Sequence, residues 1–189
     1  MDPVGYDWIS LQTLARDEFT RRLDAVTDWN APTPDTDWTV LDLAVHVTTE
    51  QQWVPPLLAG RTVARARREI APLHGDLSRE WERYASAATD AWATTPPENP
   101  VHLSFGTVTA EFYLRQQTSD ITVHAWDLAR AIGGDTTLDP VLAAAVWEDL
   151  RDQADALAAS GLFAPPVPVP DDAPVQDRLL ALTGRDPSQ

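Results

Sequence analysis

The stretch Ser119–Gly134, SDITVHAWDLARAIGG, sets an aspartate, a histidine and a second aspartate inside an otherwise apolar segment. Asp120 and His124 are four residues apart and His124 and Asp127 three, so on a helix their side chains share one face. Ile121, Ala125, Leu128 and Ile132 mark the apolar side of that helix, and Tyr113, Gln117, Asp120, His124 and Asp127 form a polar stripe beside it. An aspartate beside a core is costly unless a counter-charge, hydrogen bonds or a metal satisfies it. This helix alone leaves two readings open. One is a hydrogen-bonded Asp–His pair that ties helices together, and the other is a cation held between carboxylate and imidazole.

Outward from this segment the helical period recurs. Trp8, Leu11, Ala15, Phe19, Leu23 and Val26 predict a first amphipathic helix. WNAPTPDTDW breaks it, and Thr39 with Asp42 reads as a capping box that opens a second helix toward Val54, where Pro55 and Pro56 stop or kink it. Leu77, Trp81, Tyr84, Ala88 and Trp92 predict a third helix over 77–93, and VHLSFGTVT reads as an extended segment or short hairpin. The segment with the polar stripe is a fourth helix, about 109–132, closed by Gly133 and Gly134. A fifth starts at Asp139-Pro140 and continues to about Ser160, with Gly161 as its stop. From Phe163 a proline-rich extended run leads to a short helix over Val175–Leu182. Its apolar residues Phe163, Val167, Val169, Leu179 and Leu182 predict a strap packed across the bundle, with a disordered tail as the alternative. The expected fold is all-α: one domain over 1–189, a four-helix bundle with a small extended segment and a C-terminal strap. Sites in such bundles are built from inward-facing side chains on facing helices.

Bulk properties narrow the chemistry. No cysteine occurs, so disulfides, cysteine-zinc sites and thiol nucleophiles of the protein's own are excluded, and any thiol chemistry must use a thiol from outside. The formal net charge of -15 argues against nucleic acid. The basic cluster RTVARARRE, 61–69, reads as a solvated strip. No segment approaches the roughly 18 apolar residues of a membrane span, and the N-terminus lacks the pattern of a signal peptide. A cytoplasmic protein that acts on a small molecule is the expectation, with monomer and homodimer both open.

The second helix tilts the choice between the two readings. His46 shares a face with Leu43, Val47, Glu50, Trp53 and Val54, the side that should enter the core. A lone histidine there is more often a satisfied core residue. With Asp120 and His124 it completes two imidazoles and a carboxylate, the ligand set of many zinc sites, and three protein ligands leave a fourth position open.

Three segments, WNAPTPDTDWTVLDLAVHV, LRQQTSDITVHAWDLARAIG and FAPPVPVPDDAPVQDRLLALTGRDP, together resemble the metal-binding DinB-like family that includes the N-terminal domain of mycothiol-dependent maleylpyruvate isomerase. The resemblance spans nearly the whole chain. It implies a four-helix bundle with a divalent metal at its centre, zinc first and nickel or iron as alternatives, held by His46, Asp120 and His124. The isomerase has glutamate at the position of Asp120, and its second domain has no counterpart here, so the resemblance does not carry over maleylpyruvate isomerisation itself. What it implies is an enzyme that uses mycothiol or a similar low-molecular-weight thiol for S-transfer or thiol-assisted isomerisation of an electrophile. Two alternatives stand beside that expectation: a hydrolase or biosynthetic tailoring enzyme using metal-bound water, and a non-catalytic metal-binding stress or scaffold bundle.

Around the ligand set, Glu50 is a candidate general base or extra ligand. Asp127 is either an acceptor that orients a metal-bound imidazole or an ordinary surface acid. Tyr113 and Gln117 line the pocket or belong to the core. Trp53 and Trp126 read as packing residues, Arg115 as structural, and His74 and His102 as loop residues without an identified partner.

Overall fold

A computed structural model describes residues 5–35, 37–154 and 163–188. Four long helices, α1 (Trp8–Leu23), α2 (Val40–Leu58), α4 (Leu77–Thr94) and α5 (Ala110–Ala131), form the bundle, with a one-turn helix α3 (Val63–Ala66) between the second and third of them. Helix α1 packs on α4 and α5, and α2 packs on the same two helices, so each long helix has two long neighbours. An antiparallel hairpin, β1 (Pro100–Leu103) and β2 (Gly106–Thr109), joins α4 to α5, pairing Pro100 with Thr109 and Leu103 with Gly106. Helices α6 (Pro140–Arg151) and α7 (Val175–Leu182) complete the described elements. The remainder of the helix expected from Asp139 to Ser160, and its stop at Gly161, lies outside the described residues.

Local signals account for most of the boundaries. Asp7, Asp76, Thr109 and Asp139 each accept backbone N–H groups in the first turn of the helix that follows. The Thr39–Asp42 capping box is formed in both directions: Asp42 N–H donates to Thr39 Oγ1 at 3.2 Å and Thr39 N–H to Asp42 Oδ2 at 3.0 Å. Pro55 and Pro56 do not stop α2, which runs on to Leu58. Placed in the last turn, they forgo two ladder bonds at an end that frays anyway.

The core is a continuous cluster of apolar side chains. Phe19 and Trp81, both fully buried, meet between α1 and α4 with ring centroids 4.6 Å apart. Helix α5 is covered on nearly every side from Gln117 to Ala129, not on one stripe as its period suggests, because α1, α2, α6 and the C-terminal segment all surround it. Its polar stripe therefore enters the interior and must find partners there.

The proline-rich run and α7 are held against the bundle as the expected strap. Val167 N–H donates to Ala181 O at 2.9 Å. Gln176 clamps the chain before α6, accepting from Leu138 N–H at 2.9 Å and donating to Thr136 O at 3.0 Å. Leu179 and Leu180 are fully buried, each worth roughly 1.5–3 kcal/mol of apolar transfer. At the end of α7 Gly184 takes a left-handed φ of 79°, and the chain closes with Arg185 N–H on Leu180 O at 2.9 Å and Gly184 N–H on Ala181 O at 3.1 Å. A Cβ on Gly184 would stand 2.6 Å from Ala164 Cβ, so only glycine lets the two arms of the strap cross. Among the described residues no helix is long and apolar enough to cross a membrane.

Candidate metal centre

Helices α2 and α5 bring the expected site together. His46 and, one turn later, Glu50 come from α2. Tyr113, Gln117, Asp120, His124 and Asp127 come from α5. One ligand atom from each of His46, Asp120 and His124 lies within 4.8 Å of the other two. His46 Nε2 is 3.7 Å from Asp120 Oδ2, and His124 Nε2 is 3.5 Å from Asp120 Oδ1. These separations are longer than hydrogen bonds, which run about 2.7–3.2 Å. They approach the edge of a tetrahedron, about 3.3 Å, built on metal–ligand bonds of about 2.0–2.1 Å.

The second nitrogen of His124 decides its tautomer. Nδ1 lies 3.0 Å from Asp127 Oδ2, and a carboxylate there accepts the Nδ1 proton, leaving the Nε2 lone pair for a ligand on the Asp120 side. Asp120 Oδ2 is buried and has no hydrogen-bond partner among the described residues, so a cation held by the triad would satisfy it. Burial opposes charge on His124, but Asp120 and then Asp127 outweigh it and raise the imidazole to about 10. Burial likewise opposes ionisation of Asp120, and the imidazoles of His124 and His46 hold its carboxyl well below the usual range. The field that keeps a proton on His124 is one that favours any cation, and a metal entering there displaces the proton. The donors present, two imidazoles and one carboxylate, fit zinc and neighbouring divalent ions.

Trp38 covers the imidazoles. Its ring centroid is 4.9 Å from that of His46 and 5.9 Å from that of His124, nearly parallel to the latter at 24°. The turn before α2 places it: Trp38 N–H donates to Asp35 O at 3.2 Å, Thr33 N–H to Trp38 O at 2.9 Å, and Asp37 takes a positive φ of 72°.

From His46 and Asp120 a cavity of about 470 Å³ opens between α2, α5 and the hairpin, with His124 buried behind them. His46, Glu50, Asp120, Tyr113 and Gln117 all line it, and Trp53, Leu57, Phe105, Phe112 and Phe163 supply apolar wall. Burial, and next the charge of Asp120, raises the Glu50 carboxyl, with His46 pulling it partly back. Glu50 is tied into a relay: Gln51 Nε2 donates to Gln117 Oε1 at 3.1 Å, and Gln117 Nε2 donates to Glu50 Oε2 at 3.4 Å. Tyr113 is 3% exposed, packs edge-on against Trp92, and has its phenol pushed well above the ordinary value by burial. Arg67, from the basic strip, reaches the cavity lining with its guanidinium 5.8 Å from the Trp53 ring centroid. His102 bonds to Thr107 within the hairpin and takes no part in the triad.

Asp127 does not line this cavity. Its side chain is 0% exposed and faces the C-terminal strap, where Arg185 Nε donates to Oδ1 at 3.1 Å and Nη2 to Oδ2 at 2.7 Å. Asp35 Oδ2 accepts from the same Nη2 at 3.2 Å. A second acidic group, Asp35, His124 and Asp127, has the spacing of a metal cluster, but the guanidinium already fills it. Periodicity carries no signal for Trp38, Gln51, Asp35 or Arg185, because each meets the site through a tertiary contact.

The profile of the family described as "Mycothiol maleylpyruvate isomerase N-terminal domain" matches residues 13–129. An uncharacterized protein of Mycobacterium tuberculosis, found in two strains, is 32% identical over 161 residues, 82% of this chain and 83% of the relative. The crystal structure of the mycothiol-dependent maleylpyruvate isomerase superposes with a TM-score of 0.61 at 21% identity, covering 80% of this chain and 68% of that one. A mutant of the same enzyme gives 0.61 at 20% identity with the same coverage. The chain belongs to the family of the mycothiol maleylpyruvate isomerase N-terminal domain, a DinB-like family of helical bundles.

Proposed function

We propose that His46, Asp120 and His124 hold a divalent metal, zinc foremost, and that the protein uses an external low-molecular-weight thiol of the mycothiol kind on an electrophilic small molecule. The observation that carries this reading is the triad at polyhedron-edge spacing, with an orphaned Asp120 oxygen, two of its members, His46 and Asp120, opening onto a largely apolar cavity. The absence of any cysteine agrees with a thiol supplied from outside. Likeness to a protein named for its dependence on mycothiol supports the choice of thiol. When bound, the metal supplies charge that keeps a coordinating thiol in its nucleophilic thiolate form.

The chain's own residues then do the rest. Trp53, Phe105, Phe112 and Phe163 offer the electrophile an apolar wall. Glu50, its proton affinity raised by burial and held in place by Gln117, would accept at its Oε atoms the proton that the thiol gives up on becoming thiolate and pass it on to solvent. In isomerisation the thiolate adds to an activated double bond, rotation follows, and the same C–S bond breaks. In S-transfer a leaving group departs instead and the C–S bond persists.

A cobalt-substituted sample titrated with mycothiol tests the reading, the expected result being a new sulfur-to-metal charge-transfer band. A spectrum indifferent to thiol would turn the reading to metal-bound water, whose pKa such a site lowers toward about 7. A chain that takes up no divalent metal would leave a non-catalytic bundle.

Glu50→Gln gives a second expected outcome. Zinc content stays at wild-type level, while turnover of chlorodinitrobenzene with mycothiol falls by about 10²–10⁴, the span of general acid–base catalysis.

A further inference from the structure

Besides the Glu18–Arg22 pair of α1, the described interior holds a buried cation that the proposed chemistry does not use, and it lies behind the candidate metal centre. Arg185 is 6% exposed, follows the Gly184 cap of α7, and lies well beyond the segment 13–129 that matches the family profile. Its guanidinium is committed on three sides: two bonds to Asp127, one to Asp35, and Nη1 donating to Thr183 O at 2.7 Å. The Phe163 ring stands 5.8 Å from its central carbon. Asp127 Oδ2 is shared between this guanidinium and His124 Nδ1. Rotating Asp127 off His124 would leave a buried cation short of a partner, so the strap fixes the plane and tautomer of the imidazole from behind.

We infer that Arg185 is a positioning residue of the metal centre, the tip of a C-terminal clasp whose docking and the affinity for metal are thermodynamically linked. This rests on the proposed metal-binding reading. Linkage is reciprocal: a clasp that improves the site for metal is itself held more tightly once metal binds.

The test uses the full chain and zinc alone. Zinc affinity is measured by chelator competition for wild type, Arg185→Met, Arg185→Lys and Phe19→Leu, the last losing core packing between α1 and α4 and touching neither Asp127 nor Arg185. Amide exchange over 175–185 is followed with and without zinc. Arg185→Met is expected to weaken zinc by about 10–100-fold, the usual cost of losing an outer partner of a metal-bound histidine, and Arg185→Lys to recover part of it. Phe19→Leu should lower stability with affinity unchanged, and zinc should slow exchange in α7 of wild type. Folded Arg185→Met that binds zinc within about twofold of wild type, or a Phe19→Leu loss as large as that of Arg185→Met, overturns the inference. Should Arg185→Met not fold, Arg185→Lys and the exchange data decide, equal affinity and unchanged exchange counting against it. Wild type that binds no zinc sinks the metal reading instead. Nitrogen and proton spectra of His124 in the metal-free protein then decide the positioning role, an unchanged hydrogen-bonded Nδ1–H signal toward Asp127 in Arg185→Met removing it.

Discussion

His124→Ala is expected to abolish stoichiometric zinc binding, with the affinity falling by more than the about 10–100-fold that attends loss of an outer partner. The residue offers Nε2 toward Asp120 while Nδ1 is tied to Asp127, so its removal deletes a ligand and leaves Asp127 to Arg185 alone. Asp120 loses the first of the charges that hold it ionised, which leaves a buried acceptor with still fewer partners. Elemental analysis of the purified variant against wild type reads the outcome directly. A variant that keeps its full equivalent of metal would place the ion elsewhere and dissolve the triad as a site.

Asp127→Ala should be the most damaging single change to stability, at about 3–5 kcal/mol, the cost of leaving one partner of a buried ion pair alone. Arg185 would be stranded at 6% exposure with only Asp35, itself about one-third exposed, to answer its charge. The double variant Asp127→Leu with Arg185→Met should recover much of that loss, because replacing both members of a buried pair by apolar groups removes the uncompensated charge. Denaturant unfolding of the three proteins checks the sign. A double variant less stable than Asp127→Ala would show that packing, not charge, dominates at this point.

The parts of this architecture that were legible in the sequence are those written in short-range pattern. Three- and four-residue steps marked the long helices, the Thr39–Asp42 box opened α2 where expected, and α7 spans Val175–Leu182 as its period implies. The facing of His46 with Asp120 and His124 was also readable, since each sits beside the apolar face of its helix and a bundle offers one interior. What could not be read is set by which elements cross. Nothing within reach of Trp38 along the chain says that it will lie over two imidazoles, and nothing near Gln51 says that it will hold Gln117. Asp127 looked equally like a surface acid because the partner that buries it is 58 residues away. Pro55 and Pro56 read as a stop or a kink because proline lacks the N–H of the ladder, yet tertiary packing carries α2 on to Leu58.

The separation between Asp127 and Arg185 also imposes an order of assembly. Asp35 and Arg185 meet across 150 residues and Asp127 and Arg185 across 58, and chains fold from the N-terminal side as they are made, at about 5–20 residues per second. All three candidate ligands leave the ribosome seconds before residue 185 does. A nascent chain thus carries the ligands before it carries the clasp, and the centre matures only after synthesis has passed the strap.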